Sequence, residues 1–172
     1  HAEKRPQALL ATTRFEREEF WKDPTPPEHL LSGPHGTTLQ LTLGQQTEAI
    51  REYSVGGRHL VAATHQILLA IRTAGGLPAT LHDVVLHTPM VIDEPRPVQV
   101  HVDPDGAFEV HSGPDWTAHT TGRVGPLAEI PEPPPVPTEG GVGAEALYET
   151  TAELDYGPSF RRVQQVWPGN QG

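Results

Sequence analysis

Between Thr37 and Gly44 the chain reads TTLQLTLG, with Leu39, Leu41 and Leu43 separated by single polar residues. A period of two sends alternate side chains to opposite faces, so this spacing predicts a half-buried strand ended by glycine. The period changes at Leu60. LVAATHQILLAIRT, running to Thr73, is apolar nearly all round, has no proline and stops at Gly75-Gly76. That pattern predicts a buried helix with a glycine exit. LHDVVLHTPMVI (Leu81 to Ile92) is rich in β-branched residues and reads as a strand. PVQVHVDPDGAFEVHS predicts a hairpin: Val98, Val100 and Val102 alternate with Gln99 and His101, DPDG turns the chain, and Phe108 and Val110 alternate with Glu109 and His111. DWTAHTTGRVG (Asp115 to Gly125) gives one more strand.

A single long helix and an antiparallel sheet can bury each other if the sheet curves round the helix. The expected class is therefore α+β, in a hot-dog arrangement. Composition limits where that core can lie. Apolar residues make up 35% of the 172, and the 19 prolines exceed twice the ordinary share. They gather in DPTPPEHLLSGP and PLAEIPEPPPVP, leaving roughly the middle hundred residues for one compact unit. The second proline run lacks ladder donors and favours extended geometry, so it reads as a semi-rigid connector. After it, AEALYETTAELDYGPSFRRVQQVW predicts a short helix, a turn at Tyr156-Gly157-Pro158 and the opening of a strand. Phe15, Phe20 and Trp21, set among alternating charges near the N-terminus, read as a strap packed on a neighbouring surface.

The chain has no cysteine, which removes disulfides, thiol nucleophiles and thiolate metal sites. A net charge of −10 argues against a nucleic-acid or anionic-membrane partner, since such faces need clustered Lys and Arg. No apolar run approaches membrane-spanning length and no signal peptide is legible, so a cytoplasmic protein is expected. His101, His111 and His119 fall on strands without a ligand spacing or clustered carboxylates; they read as surface residues, and no metal is expected.

Five ordered motifs carry a resemblance to the dehydratase region of a modular type I polyketide synthase. RFEREEFW resembles the end of the linker that follows an acyltransferase, and HLLSG (His29 to Gly33) the family's opening His-Pro-Leu-Leu-Gly. YSVGGRHLVAA lies where the family carries H-x-x-x-G-x-x-x-x-P. WTAHTTGRV is similar to the strand before the interdomain linker, and LDYGPSFRRVQQVW to the Tyr-Gly-Pro-x-Phe signature that opens a second hot dog. The resemblance implies the first half of a double hot dog: a post-acyltransferase strap at 1–28, the N-terminal hot dog at 29–125, a Pro-rich linker at 126–143, and the incomplete start of the C-terminal hot dog at 144–172. The second unit's own helix, and the family aspartate it carries, are not reached.

The family removes water from a β-hydroxyacyl group held as a thioester on the phosphopantetheine arm of an acyl carrier protein, with no cofactor of its own. A base takes the proton beside the carbonyl and an acid protonates the departing hydroxyl. The family uses a histidine from the first hot dog and an aspartate from the second. Here Gly57 matches the motif glycine, but Tyr53 replaces the histidine and Ala62 the proline, while Glu52 stands where an aspartate commonly precedes the histidine. Tyrosine ionises near pH 10 against about 6.5 for histidine, so only about one phenol in a thousand is ionised at pH 7, a handicap of roughly 4 kcal/mol. General-base catalysis contributes about 10²–10⁴ in rate, so this exchange removes most of it.

His59 and His65 are the candidate substitutes for the missing base. His65 falls about one turn into the helix, where its side chain would lean toward the N-terminus. The resemblance places Tyr156 of the YGPSF stretch near the acyl tunnel; structurally, Gly157-Pro158 makes a rigid turn and Phe160 anchors core. The expected partners are an acyl carrier protein, neighbouring polyketide synthase domains and a second copy of the chain. The leading reading is a dehydratase-like domain that has lost catalysis and is kept as a structural part of its module. Two alternatives stand beside it: a cyclase or double-bond isomerase using a displaced histidine, and a docking half completed by another chain.

Overall fold

The computed structural model describes residues 28–129, 132, 135, 140–149 and 153–167. The predicted strap of Phe15, Phe20 and Trp21 lies outside the described residues, as does half of the second proline run. In chain order the elements are β1 (His29–Gly33), β2 (Gly36–Leu43), α1 (Glu48–Arg51), β3 (Tyr53–Val55), β4 (Arg58–His59), α2 (Ala63–Thr73), β5 (Thr80–Leu86), β6 (Arg96–Val102), β7 (Ala107–Ser112), β8 (Thr117–Gly125), β9 (Val142–Gly143), α3 (Glu145–Glu149), β10 (Leu154–Tyr156) and β11 (Gln165–Val166). Six strands form an antiparallel sheet in the order β1-β2-β6-β7-β8-β5, and α2 packs on its inner face. This is the expected hot-dog arrangement.

Alternation along each strand decides which face turns inward. Leu39 pairs with Val100, Val100 with Val110, and Val110 with Thr120, so one row crosses four strands. All four side chains are buried. A second row, Leu41 opposite Val98, lies beside it. Phe108 fills the space next to Gly122, where an added Cβ would lie 2.8 Å from the phenyl ring. The row ends on a polar group because the helix supplies a partner: Thr120 Oγ1 donates to Gln66 Oε1 at 2.6 Å. Gln66 Nε2 in turn donates to the Val61 carbonyl at 3.0 Å, just before the helix start. The buried polar atoms of Thr120 and Gln66 thus each have a partner, and the network ties the helix entrance to the sheet.

The helix is shorter and less enclosed than its sequence suggests. It begins at Ala63, not Leu60, because Leu60 bridges to Val91 and the Val61 N–H donates to the Met90 carbonyl at 2.9 Å. Thr64, Leu68 and Arg72, spaced four apart, form an exposed stripe, with Leu68 55% accessible. The sheet covers one side of the helix, so a nearly all-round apolar pattern does not translate into all-round burial. Its C-terminus follows the expected glycine exit: Gly75 and Gly76 both have positive φ, and the Gly76 N–H reaches back to the Ile71 carbonyl at 2.9 Å.

The β-branched run from Leu81 to Ile92 is only half strand. β5 stops at Leu86, and the chain then crosses toward the helix entrance with Met90 and Ile92 fully buried. Core packing, rather than ladder pairing, uses those apolar residues. His119 also departs from expectation. It is 2% exposed, its Nδ1 lies 2.8 Å from the Thr88 carbonyl, and its Nε2 lies 2.8 Å from Ser112 Oγ. A register shift between Val110 and His111 lets β8 bury two consecutive side chains, His119 and Thr120, which simple alternation forbids. No helix among the described residues is long and apolar enough to cross a membrane.

Candidate functional site

Tyr53 enters its position through a tightly defined local fold. α1 is capped by Glu52, β3 begins at Tyr53, and Gly56-Gly57 closes a hairpin in which Val55 faces Arg58. Both glycines have positive φ, +55° and +76°. A two-residue turn of this hand is the one whose twist matches the flanking strands, and it favours glycine twice. An added Cβ at Gly57 would meet nothing within 4 Å, so its backbone conformation, not crowding, asks for glycine. Ala62, where the resemblance expects a proline, has φ −55°. Proline would hold the same angle, so the helix entrance keeps its course without the ring.

The YGPSF stretch, a hundred residues later, folds back onto this hairpin. β10 pairs antiparallel with β3 and sets Tyr156 opposite Tyr53. The Tyr53 ring stacks on Phe160 with centroids 5.4 Å apart and leans on Tyr156 at 5.8 Å. Tyr156 and Phe160 lie 6.3 Å apart, and Tyr148 meets Tyr156 edge-on at 5.9 Å. Pro158 sits inside the turn closed by the Phe160 N–H on the Gly157 carbonyl at 3.0 Å. Tyr53, Tyr156, Gly157, Pro158 and Phe160 are therefore one cluster, although they were read from two separate motifs.

Electrostatics push the phenol away from base chemistry. Burial raises the Tyr53 pKa above its ordinary value, and the neighbouring Tyr156 adds to the rise. Glu52, beside it, moves the other way. Ser159 holds its carboxyl below the usual range, first through its hydroxyl and then through its N–H, which donates to Oε2 at 2.7 Å. The hydroxyl makes no hydrogen bond of good geometry, so the N–H is the contact on which the lowering firmly rests. Sequence reasoning gave Glu52 only a place in the motif. Its partner lies 107 residues away, and no local spacing signals such a contact.

Neither candidate substitute belongs to this ring cluster, although His59 pairs with Ser54 on the strand beside it. The His59 ring lies with Nδ1 3.2 Å from the Ile50 carbonyl in α1, and its own carbonyl accepts the Ile92 N–H at 2.9 Å. His65 is the third residue of α2. Its ring lines a groove of about 370 Å³ with Leu41, Leu43, Thr47, Leu69 and Arg72, a set that includes neither Tyr53 nor the YGPSF turn. Burial lowers its pKa, which favours the neutral ring. The strand histidines serve the sheet: His101 bonds Thr38 Oγ1 and Asp103, and His111 bonds Glu109 and the Trp116 carbonyl. Among the described residues no group of three or more His, Asp or Glu side chains is placed to hold a metal ion.

No family model matches the chain. Polyketide synthase GfsB of Streptomyces halstedii is 30% identical over 145 residues, an alignment covering 70% of this chain and 3% of GfsB. A solved dehydratase from the work on substrate selection in the borrelidin and fluvirucin polyketide synthases is 27% identical, with a TM-score of 0.64 over 82% of this chain and 57% of its own. The CurK dehydratase, solved as an inactive histidine-to-phenylalanine mutant, is 18% identical with a TM-score of 0.67 over 84% of this chain and 60% of its own. The chain thus spans somewhat over half of the solved dehydratases and a small fraction of the whole synthase. The CurK likeness establishes the fold; the 27% and 30% matches, on a chain that carries the family's motifs in order, establish kinship. By descent as well as by shape, this chain belongs to the family of polyketide synthase dehydratase domains.

Proposed function

We propose that this chain is the N-terminal hot dog and the opening of the second hot dog of a dehydratase-like domain that no longer dehydrates, and that it serves as a structural part of a polyketide synthase module. The observation that carries this reading is Tyr53 itself. A phenol stands at the motif's histidine position, and it is packed between two other aromatic rings. Its pKa is raised, so the fraction able to accept a proton at pH 7 falls below the one in a thousand of a free phenol. The CurK dehydratase is described as inactive after one histidine becomes phenylalanine. Tyr53 likewise presents an aromatic ring where the resemblance expects an imidazole.

The reaction from which this copy has departed runs on a β-hydroxyacyl thioester presented by an acyl carrier protein. That protein and the neighbouring synthase domains are the partners we assign, with a second copy of the chain as the expected oligomer. His59 and His65 do not replace the base in this reading, because the first is tied to α1 and the second faces a separate groove. The test uses the complete synthase polypeptide that carries this chain, incubated with 3-hydroxyacyl carrier protein and followed by intact mass. No loss of water is expected from the native protein, from Tyr53→Phe or from His65→Ala. Loss of water that survives Tyr53→Phe and disappears in His65→Ala would replace this reading with catalysis by a displaced histidine.

A further inference from the structure

The residue before Tyr53 reaches the same distant turn as Tyr53 does. The Glu52 carbonyl accepts the Gly157 N–H at 2.7 Å, and its carboxylate accepts the Ser159 N–H at 2.7 Å. Tyr53 meets Phe160 and Tyr156 through its ring, and the Gly56 N–H donates to the Glu153 carbonyl at 2.8 Å. The approach is close enough to select glycine on steric grounds. A Cβ at Gly157 would lie 2.5 Å from Glu52 Cβ, and the φ of Gly157 is not in the left-handed region.

We propose that Glu52 and Tyr53 form a latch that captures the Tyr156–Phe160 turn and holds β10 on the edge of β3. Strand addition of this kind takes its strength from main-chain hydrogen bonds and its register from side chains seated beside them. Here Glu52 supplies two acceptors for the turn, and the Tyr53 ring fixes the register by pairing with Tyr156 and stacking on Phe160. Position 53 has therefore exchanged a proton-transfer role for a positioning one. An imidazole there would offer a smaller ring with two polar edges to the same aromatic neighbours, and would hold the turn less well.

The inference deepens the structural role proposed above. Hydrogen exchange and loss of water are separate readouts, so either reading can fail without the other. The experiment is amide hydrogen exchange on the full chain, read at Gly157 and Ser159, with Val100 and Val110 in the sheet as internal controls. Tyr53→Ala and Tyr53→His are expected to speed exchange at Gly157 and Ser159 roughly tenfold, as expected when a local opening loses one packing contact. Tyr53→Phe, which keeps the ring, is expected to leave both amides as protected as in the native chain. Glu52→Ala is expected to release Ser159 more than Gly157, because the backbone acceptor survives. Unchanged exchange in Tyr53→Ala would overturn the latch. So would equal acceleration at Val100 and Val110, which would mean general destabilisation, or a Tyr53→Phe protein as open as Tyr53→Ala.

Discussion

The phenol of Tyr53 sets the chemistry available at position 53, and its neighbours add to its effect. Burial and Tyr156 both push the phenol further from ionisation, whereas a working base would need its pKa drawn toward neutrality. Glu52 makes a pH prediction with a definite sign. Its folded-state pKa lies below the ordinary 4.5, so its contribution is fully present above that value and is lost as pH falls through the lower folded value. Protection of the Ser159 amide should therefore weaken in acid below pH 4.5, and Glu52→Gln should remove that dependence. His119 predicts a second acid limb at higher pH. Burial, with smaller effects from Arg96 and His111, lowers its pKa below 6.5 against the opposing bond to the Thr88 carbonyl. The unfolded chain binds this proton more readily than the fold does. Stability should fall as pH drops below 6.5, and urea midpoints across that window should be flatter in His119→Gln.

The path from α2 to β8 shows how far sequence patterns reach. Alternation in β2, β6 and β7 was legible because each of those strands buries one face more deeply than the other, as Leu39, Val100 and Val110 do against exposed Gln40, half-buried Gln99 and exposed Glu109. It failed in β8, where the register shift turns His119 inward along with Thr120. No periodicity encodes that shift. The helix start was misjudged for a related reason: Leu60 and Val61 are apolar, but their backbone groups are spent on Val91 and Met90. The Thr120–Gln66 bond is the feature of this path most exposed to mutation. Thr120→Val leaves a buried amide oxygen without its donor and should cost about 1–3 kcal/mol by urea unfolding. The double variant Thr120→Val, Gln66→Leu should cost less than the sum of the two singles, since it removes both partners of the bond. Additive losses would mean the two side chains do not act as a unit.

For the molecule as a whole, the fold and its kinship were legible because five motifs occur in order along nearly the entire sequence, and because its glycine turns have plain physical jobs. The turn glycines Gly56-Gly57 close a hairpin, Gly75-Gly76 end a helix, and YGPSF makes a rigid turn. The site was legible only in parts. Tyr53 and Tyr156 were singled out separately, but their pairing across β3 and β10 is a long-range contact that neither motif announces. The groove holding His65 was equally hidden, because a helix histidine one turn in can face any neighbour until the sheet is in place. The central claim is that no group on this chain takes the proton next to the thioester carbonyl. Deuterium incorporation tests it most directly, since exchange at that carbon needs a base but not the acid that completes dehydration. The complete synthase polypeptide is mixed with 3-hydroxyacyl carrier protein in D₂O, and deuterium at the carbon next to the carbonyl is followed by mass. Exchange no faster than without the polypeptide is the result predicted here. Faster exchange that is abolished by Tyr53→Phe or His65→Ala would contradict it.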